Sequence, residues 1–224
     1  DLDDPENLLV GRGPRYRLDA EVLRDLGLWA SGLLDPTMGG EGVKPYQPSG
    51  MWAAMAHPAS NTKQYVADSG ERLYRRSLYT YWKRTSPHPM MTLFDAPDRE
   101  SACVRRSRTS TPLQSLGLFN ETQRIEMARE LAERLLRTGS SESERLDGLF
   151  GMLTCRLPSD REREACLQLL GGMRDRYAAE APEAETLLAV GEAVRDPSLP
   201  AAEVAAWTQL VVAVLASDAA TMQY

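Results

Sequence analysis

This sequence has little of what metal and redox chemistry requires. Its 224 residues include two histidines and three cysteines. No C-x-x-C-H pattern for covalent haem attachment occurs, and the histidines do not stand at H-x-x-x-H spacing. His57 and His88 instead neighbour proline, in His57-Pro58 and Pro87-His88-Pro89. No metal site and no cofactor of the chain's own is expected. Cys103, Cys155 and Cys166 are too few for a disulfide framework. A Cys155–Cys166 bridge is weighed against three small buried hydrophobes. No apolar run reaches the roughly 20 residues of a membrane span. The G-x-S-x-G elbow, the G-x-x-x-x-G-K-[ST] phosphate loop and the G-x-G-x-x-G turn are all missing.

What is present is an apolar fraction of 42%, enough for a packed core. The net charge is −6, which argues against a nucleic-acid partner. That charge is uneven. Residues 72–108 carry nine arginines and lysines against three acids, a local +6, so the remainder stands at −12.

Turn residues crowd the first half. Residues 1–18 read as irregular around Pro5, Gly11, Gly13 and Pro14. The spacing predicts a helix from about Asp19, with Val22, Leu26, Trp29 or Ala30, and Leu33 inward and Asp35-Pro36 at its end. Residues 36–50 form a glycine- and proline-rich loop, 51–56 a helical turn, and Ser77 to Trp82 a short strand. Capping boxes at Thr111-Pro112-Leu113-Gln114, Asn120-Glu121-Thr122-Gln123 and Ser159-Asp160-Arg161-Glu162 then open helices. The second of these runs to about Arg137, with Ile125, Ala128, Leu131, Ala132 and Leu135 on one face. Further helices are expected over about 142–156, from Ser159 to about Ala179, from Pro182 to about Val194, and from Ala201 to Ser217. In the last, Val204, Trp207, Leu210, Val211, Val214 and Leu215 face inward. The fold class is mainly α: a helical bundle over 111–224 and a loop-rich, aromatic and basic part over 1–110, with at most a short strand or hairpin. The chain reads as a single domain over 1–224, the C-terminal piece of a longer protein.

Three constellations are candidates for chemistry. Arg75, Arg76, Tyr79, Trp82 and Lys83 interleave cations with aromatic rings, which suits anions or sugar faces and equally suits internal pairing. Asp95, Arg99 and Glu100, followed by Arg105, Arg106 and Arg108, form either an acid–base site or a buried ion network. The loop at 39–50 with Tyr46, followed by Trp52, is either the lining of a saccharide or peptide groove or a turn wrapping the core. Asn120-Glu121-Thr122 matches a glycosylation sequon and also fits a helix cap.

Several segments together resemble one family. They are Arg17-Leu18-Asp19-Ala20-Glu21, Pro45-Tyr46-Gln47-Pro48, the run from Arg75 to Thr85, the run from Phe94 to Glu100, and the run from Arg108 to Gln114. In this order they resemble domain of unknown function family 1553, the C-terminal domain of large planctomycete- and verrucomicrobium-type proteins. Ser110 stands where the family pattern has Asn, Asn120-Glu121 where it has Asn-Asp, and Ala216-Ser217-Asp218-Ala219 where an Asn-Leu-Asp-Glu-like ending is usual. The resemblance implies a secreted or periplasmic protein in which an upstream cytochrome-c-like domain carries haem c. It implies no reaction and no catalytic residues.

The expected function is therefore an extracytoplasmic interaction module. It would bind the upstream domain, or an anionic or polysaccharide ligand, through residues 44–52 and 75–108. The alternatives are an oxidoreductase or hydrolase built on Asp95, Glu100 and nearby arginines, marked by an open pocket where Asp95, Arg99, Arg106 and Trp82 converge, and a purely structural domain.

Overall fold

The computed structural model describes residues 8–11, 13, 16–57 and 59–223. Pro5, Pro14 and Pro58 lie outside them. The described residues are mainly α. In chain order the helices are α1 (Ala20–Ser31), α2 (Met51–Met55), α3 (Pro89–Leu93), α4 (Pro112–Asn120), α5 (Thr122–Thr138), α6 (Glu142–Thr154), α7 (Asp160–Ala179), α8 (Ala181–Leu188), α9 (Ala201–Ala216) and α10 (Asp218–Thr221). Two short strands, β1 (Tyr16–Arg17) and β2 (Met222–Gln223), pair antiparallel and bring together the two ends of the described chain. Among the described residues no helix is long and apolar enough to cross a membrane.

The helix α9 is the centre of the core. Its sequence is almost wholly aliphatic, and Val204, Trp207, Leu210, Val211, Val214 and Leu215 are all buried, as their spacing predicts. It packs against α5, α7, α8 and α4. From α5 come Ala128, Leu131, Ala132 and Leu135, and from α7 Cys166, Leu170 and Tyr177. Two expected capping boxes are complete. The Thr111 hydroxyl accepts from Gln114 N while Gln114 Oε1 accepts from Thr111 N. Ser159 and Glu162 repeat the exchange at the start of α7.

Some expectations need correction. The cap of α5 is Glu121, whose carboxylate accepts from Arg124 N, because Asn120 is still the last residue of α4 and donates to Leu116 O. The helix α8 stops at Leu188 rather than near Val194. Beyond it, Arg129 donates to the carbonyls of Leu188 and Ala193, and Glu126 accepts the amides of Glu192 and Ala193. Gly191 lies between them at φ +91°, where a Cβ would sit 2.4 Å from Glu126 Oε1. Cys155 and Cys166 are free thiols, not a bridge.

The inner face of α1 is also shifted. Ala20, Leu23, Arg24, Gly27, Leu28 and Ala30 are buried, whereas Val22 and Trp29 are 47% and 54% exposed. The helix carries two apolar stripes. Gly27, whose absent side chain admits Met127 Sδ, belongs to the inner one. The helix ends at Ser31, before Asp35-Pro36, because Gly32 turns left-handed at φ 84°. The aromatic run Ser77–Trp82 is not a strand. Ser77–Tyr79 form a 3-10 turn, and a lone parallel bridge joins Thr80 to Val43 of the loop. Ser77 N donates to Asp25 Oδ1, which draws this backbone onto α1 in place of a neighbouring strand.

Candidate functional site

The residues singled out by their chemistry do not meet in one place. Most of the arginines serve the fold. Arg75 is buried and donates to the carbonyls of Thr37, Gly39 and Glu41, with its guanidinium 3.9 Å from the Tyr79 ring centre. Tyr79 Oη accepts from Gly39 N at 2.6 Å. Together they fix the glycine loop. Trp52 is buried against Tyr65, with ring centres 4.9 Å apart, and against Tyr81 at 5.8 Å. Lys83 covers Trp52 at 4.2 Å while donating to Thr62 O. Tyr46 Oη accepts from Glu192 N and lies 3.4 Å from Glu126 Oε1. This layer of rings and cations packs mainly on its own members, with Trp52 Nε1 and Arg75 Nε buried without a hydrogen-bond partner.

The 95–108 segment behaves similarly. Asp95 has φ 60°, and its carboxylate accepts from Arg17 at 2.5 Å, from Thr109 N at 2.8 Å and from Thr109 Oγ1 at 2.9 Å. These bonds make the carboxylate a staple between loops; they converge on Oδ2, while Oδ1 accepts, among the described residues, only from Thr109 Oγ1, at 3.1 Å. Glu100 pairs with Arg84 at 3.1 Å. Arg99 lies 4.6 Å from the Trp82 ring centre, and Trp82 Nε1 donates to Asp98 O. Arg108 lies 4.3 Å from the Tyr16 ring centre and 3.7 Å from Asp19. Arg105 is exposed and makes no ion pair among the described residues. Asp95 and Arg106 border one open concavity, Arg99 and Arg106 another, and Trp82 borders neither. The convergence that would mark a catalytic pocket is not formed there.

The second of these concavities is the more informative. It runs along the outer stripe of α1, is about 630 Å³, and is lined by Val22, Leu26, Trp29, Leu34 and Leu78. Leu78 is 61% exposed. Charged residues rim it. Arg106 grips Glu21 through two hydrogen bonds of 2.7 and 3.0 Å and lies 3.5 Å from Asp19, while Arg76 lies 3.7 Å from Asp25. Burial works to raise the Glu21 carboxyl, but the bonds from Arg106 win and hold it below its usual range. The rim is thus paired and close to neutral, around an apolar floor.

Sequence reasoning missed the buried polar groups beneath α1. Arg24 donates to the carbonyls of Leu73 and Arg75, to Ser77 Oγ and to Gln123 Oε1. Burial lowers its pKa to about 10, so it stays charged at neutral pH. Arg124 donates to Leu118 O and Leu215 O and is lowered to about 10 by the same cause. Their signal was a cation within an apolar stripe, a residue that is seldom buried without partners.

The family model described as PSD1, protein of unknown function DUF1553, matches residues 1–170. The chain belongs to the DUF1553 family. No curated protein and no solved structure matches it. The match takes in α1, its groove and the whole basic segment of this DUF1553 chain, and ends within α7.

Proposed function

We propose that this DUF1553 chain is an interaction module of an extracytoplasmic, cytochrome-c-associated protein, and that it docks a partner domain along the outer stripe of α1. The observation that carries this reading is the exposed Val22, Trp29 and Leu78, with half-buried Leu26 between them, in a groove with a charge-paired rim. An apolar floor with a polar rim is the anatomy of a protein interface, and a half-exposed tryptophan is its usual anchor. The partner is the upstream cytochrome-c-like domain, where the haem c resides; this rests on the family resemblance. An anionic or polysaccharide ligand is less well supported, because the cations of the basic segment, Arg105 aside, are engaged by carbonyls, carboxylates or rings. A carboxylate–arginine enzyme is less well supported because Asp95 links loops through Arg17 and Thr109, and Asp95, Arg99, Arg106 and Trp82 share no common concavity.

Titration of the chain against the recombinant upstream domain by calorimetry tests the reading. Trp29→Glu is expected to weaken binding at least about tenfold, a loss of roughly 1.4 kcal/mol, with an unchanged melting temperature. Wild-type chain that does not bind, or a Trp29→Glu variant that binds as tightly, would contradict it.

A further inference from the structure

The chain between Pro97 and Thr111 contains no helix and no strand. Its middle borders, with Thr92 and Asp95, an open concavity of about 600 Å³, so solvent rather than core backs it. Ser101 through Arg105 are all exposed, and Val104 completely so, at 100%. Among the described residues, Ala102 through Arg105 make no hydrogen bond and no ion pair. An exposed backbone with no bonds to give up is where an endoprotease can draw a folded chain into its cleft.

The stretch is tied down on both sides. Before it, Asp98 O accepts from Trp82 Nε1, and Glu100 meets Arg84. After it, Arg106 grips Glu21, Arg108 lies 3.7 Å from Asp19, and Thr109 is bonded to Arg17 and Asp95. The same contrast gives the site its selectivity. The other arginines of residues 72–108 face carboxylates, carbonyls or the Trp82 ring. Among the described residues of this segment, the Arg105 guanidinium alone has no such hold and is open to a specificity pocket.

We propose that the Arg105–Arg106 bond is a processing site for an arginine-specific endoprotease, and that the cut chain stays folded as a two-piece complex. Water adds across the peptide bond. The C–N bond breaks, the Arg105 carbonyl carbon takes the oxygen as a carboxylate, and the Arg106 nitrogen becomes an α-ammonium. The two pieces remain joined by α1 packed on α5, by Arg24 on Gln123, and by the grip of Arg106 on Glu21. Ala20, Leu23 and Phe94 also share a buried cluster with Leu118 across the cut. The new ammonium belongs to a residue that lines the α1 groove. Cleavage needs no partner in that groove, so docking there and cleavage here fail independently.

The test is limited digestion of the full chain, without denaturant, by clostripain, an arginine-specific cysteine endoprotease. Such an enzyme passes over Lys63, which is also exposed in a loop. Within residues 20–224 the first cut is expected after Arg105, read by mass as a new N-terminus at Arg106. Both fragments are expected to co-elute at the position of the intact chain in gel filtration. Arg105→Gln, at an exposed position, is expected to slow the first cut at least about fivefold, because Arg106 and Arg108 must first leave their carboxylates. A first cut elsewhere in residues 20–224, a native chain that resists while urea-unfolded chain is cut, or an unchanged rate in Arg105→Gln overturns the site. Fragments that separate without denaturant overturn the two-piece complex.

Discussion

The part of the chain from α5 to α9 and the part before α4 are held by different means. In the former, aliphatic side chains close on α9, and Leu131, Leu149, Leu170, Trp207 and Val211 have no solvent contact. In the latter, guanidinium groups reach backbone carbonyls. Arg17 donates to Phe94 O and Thr109 O, Arg24 to Leu73 O and Arg75 O, and Arg75 to three carbonyls of the glycine loop. The physical reason is common to all three. A helix satisfies its own carbonyls, whereas an irregular segment leaves them open, and buried open carbonyls are costly. One arginine offers five donors in a fixed fork and so replaces several missing ladder bonds. Within the +6 segment Arg75, Arg72 and Lys83 serve this way, donating to carbonyls of the 37–42 loop and to Thr62 O, while Arg17 and Arg24 do the same from outside it.

This contrast can be broken at its strongest point first. Trp207→Ala removes a fully buried indole and its bond to Glu203, and is expected to lower global stability by about 3–5 kcal/mol in urea unfolding. Arg24→Met is expected to lose about 3 kcal/mol, because the Leu73 and Arg75 carbonyls and Gln123 lose a charged donor. Near-equal losses would place the guanidinium on the same footing as the core. A loss under about 1 kcal/mol for Arg24→Met would contradict that.

His88 sharpens the comparison through pH. Its ring is neutral in the fold, with a pKa lowered to about 4 by burial, and charges near pH 6.5 when unfolded. Its contribution is complete above pH 6.5 and is lost as pH falls toward 4, by up to roughly 3 kcal/mol. Denaturation of His88→Gln across this window is expected to show a flatter profile than wild type. Carboxylates such as Glu162, held down to about 2 chiefly by the Arg156 bonds, lose their contribution at lower pH, below about 4.5. The smallest effect is expected at Arg84→Gln. That pair with Glu100 is largely exposed, and the change should fall within about 0.5 kcal/mol.

The bundle was legible in the sequence because its signals are local. Thr111 and Ser159 with their partners three residues on, and the inward spacing from Val204 to Leu215, each act within a few turns. The loop half was not legible to the same degree. Val22, Leu26 and Trp29 have true helical spacing, yet the sequence alone does not tell which of two apolar stripes on α1 finds a partner. The run Ser77–Trp82 has the composition of a strand but no neighbouring strand; Asp25 captures its first amide, and Arg24 holds Ser77 Oγ and the preceding Arg75 carbonyl. The candidate residues were sound as chemistry and scattered as geometry. Asp95 and Arg106 meet acids, arginines and hydroxyls from 14 to 85 residues away, separations that no local pattern encodes.

The central claim is that the basic segment is scaffolding for the loops. Amide hydrogen exchange of an Arg75→Met variant tests it most directly. Protection is expected to collapse for Val43 and Tyr81, whose amides bond across the loop, while α5, α7 and α9 exchange as in wild type. Unchanged protection at Val43 and Tyr81 would contradict the claim and return the arginines to the surface as ligand contacts.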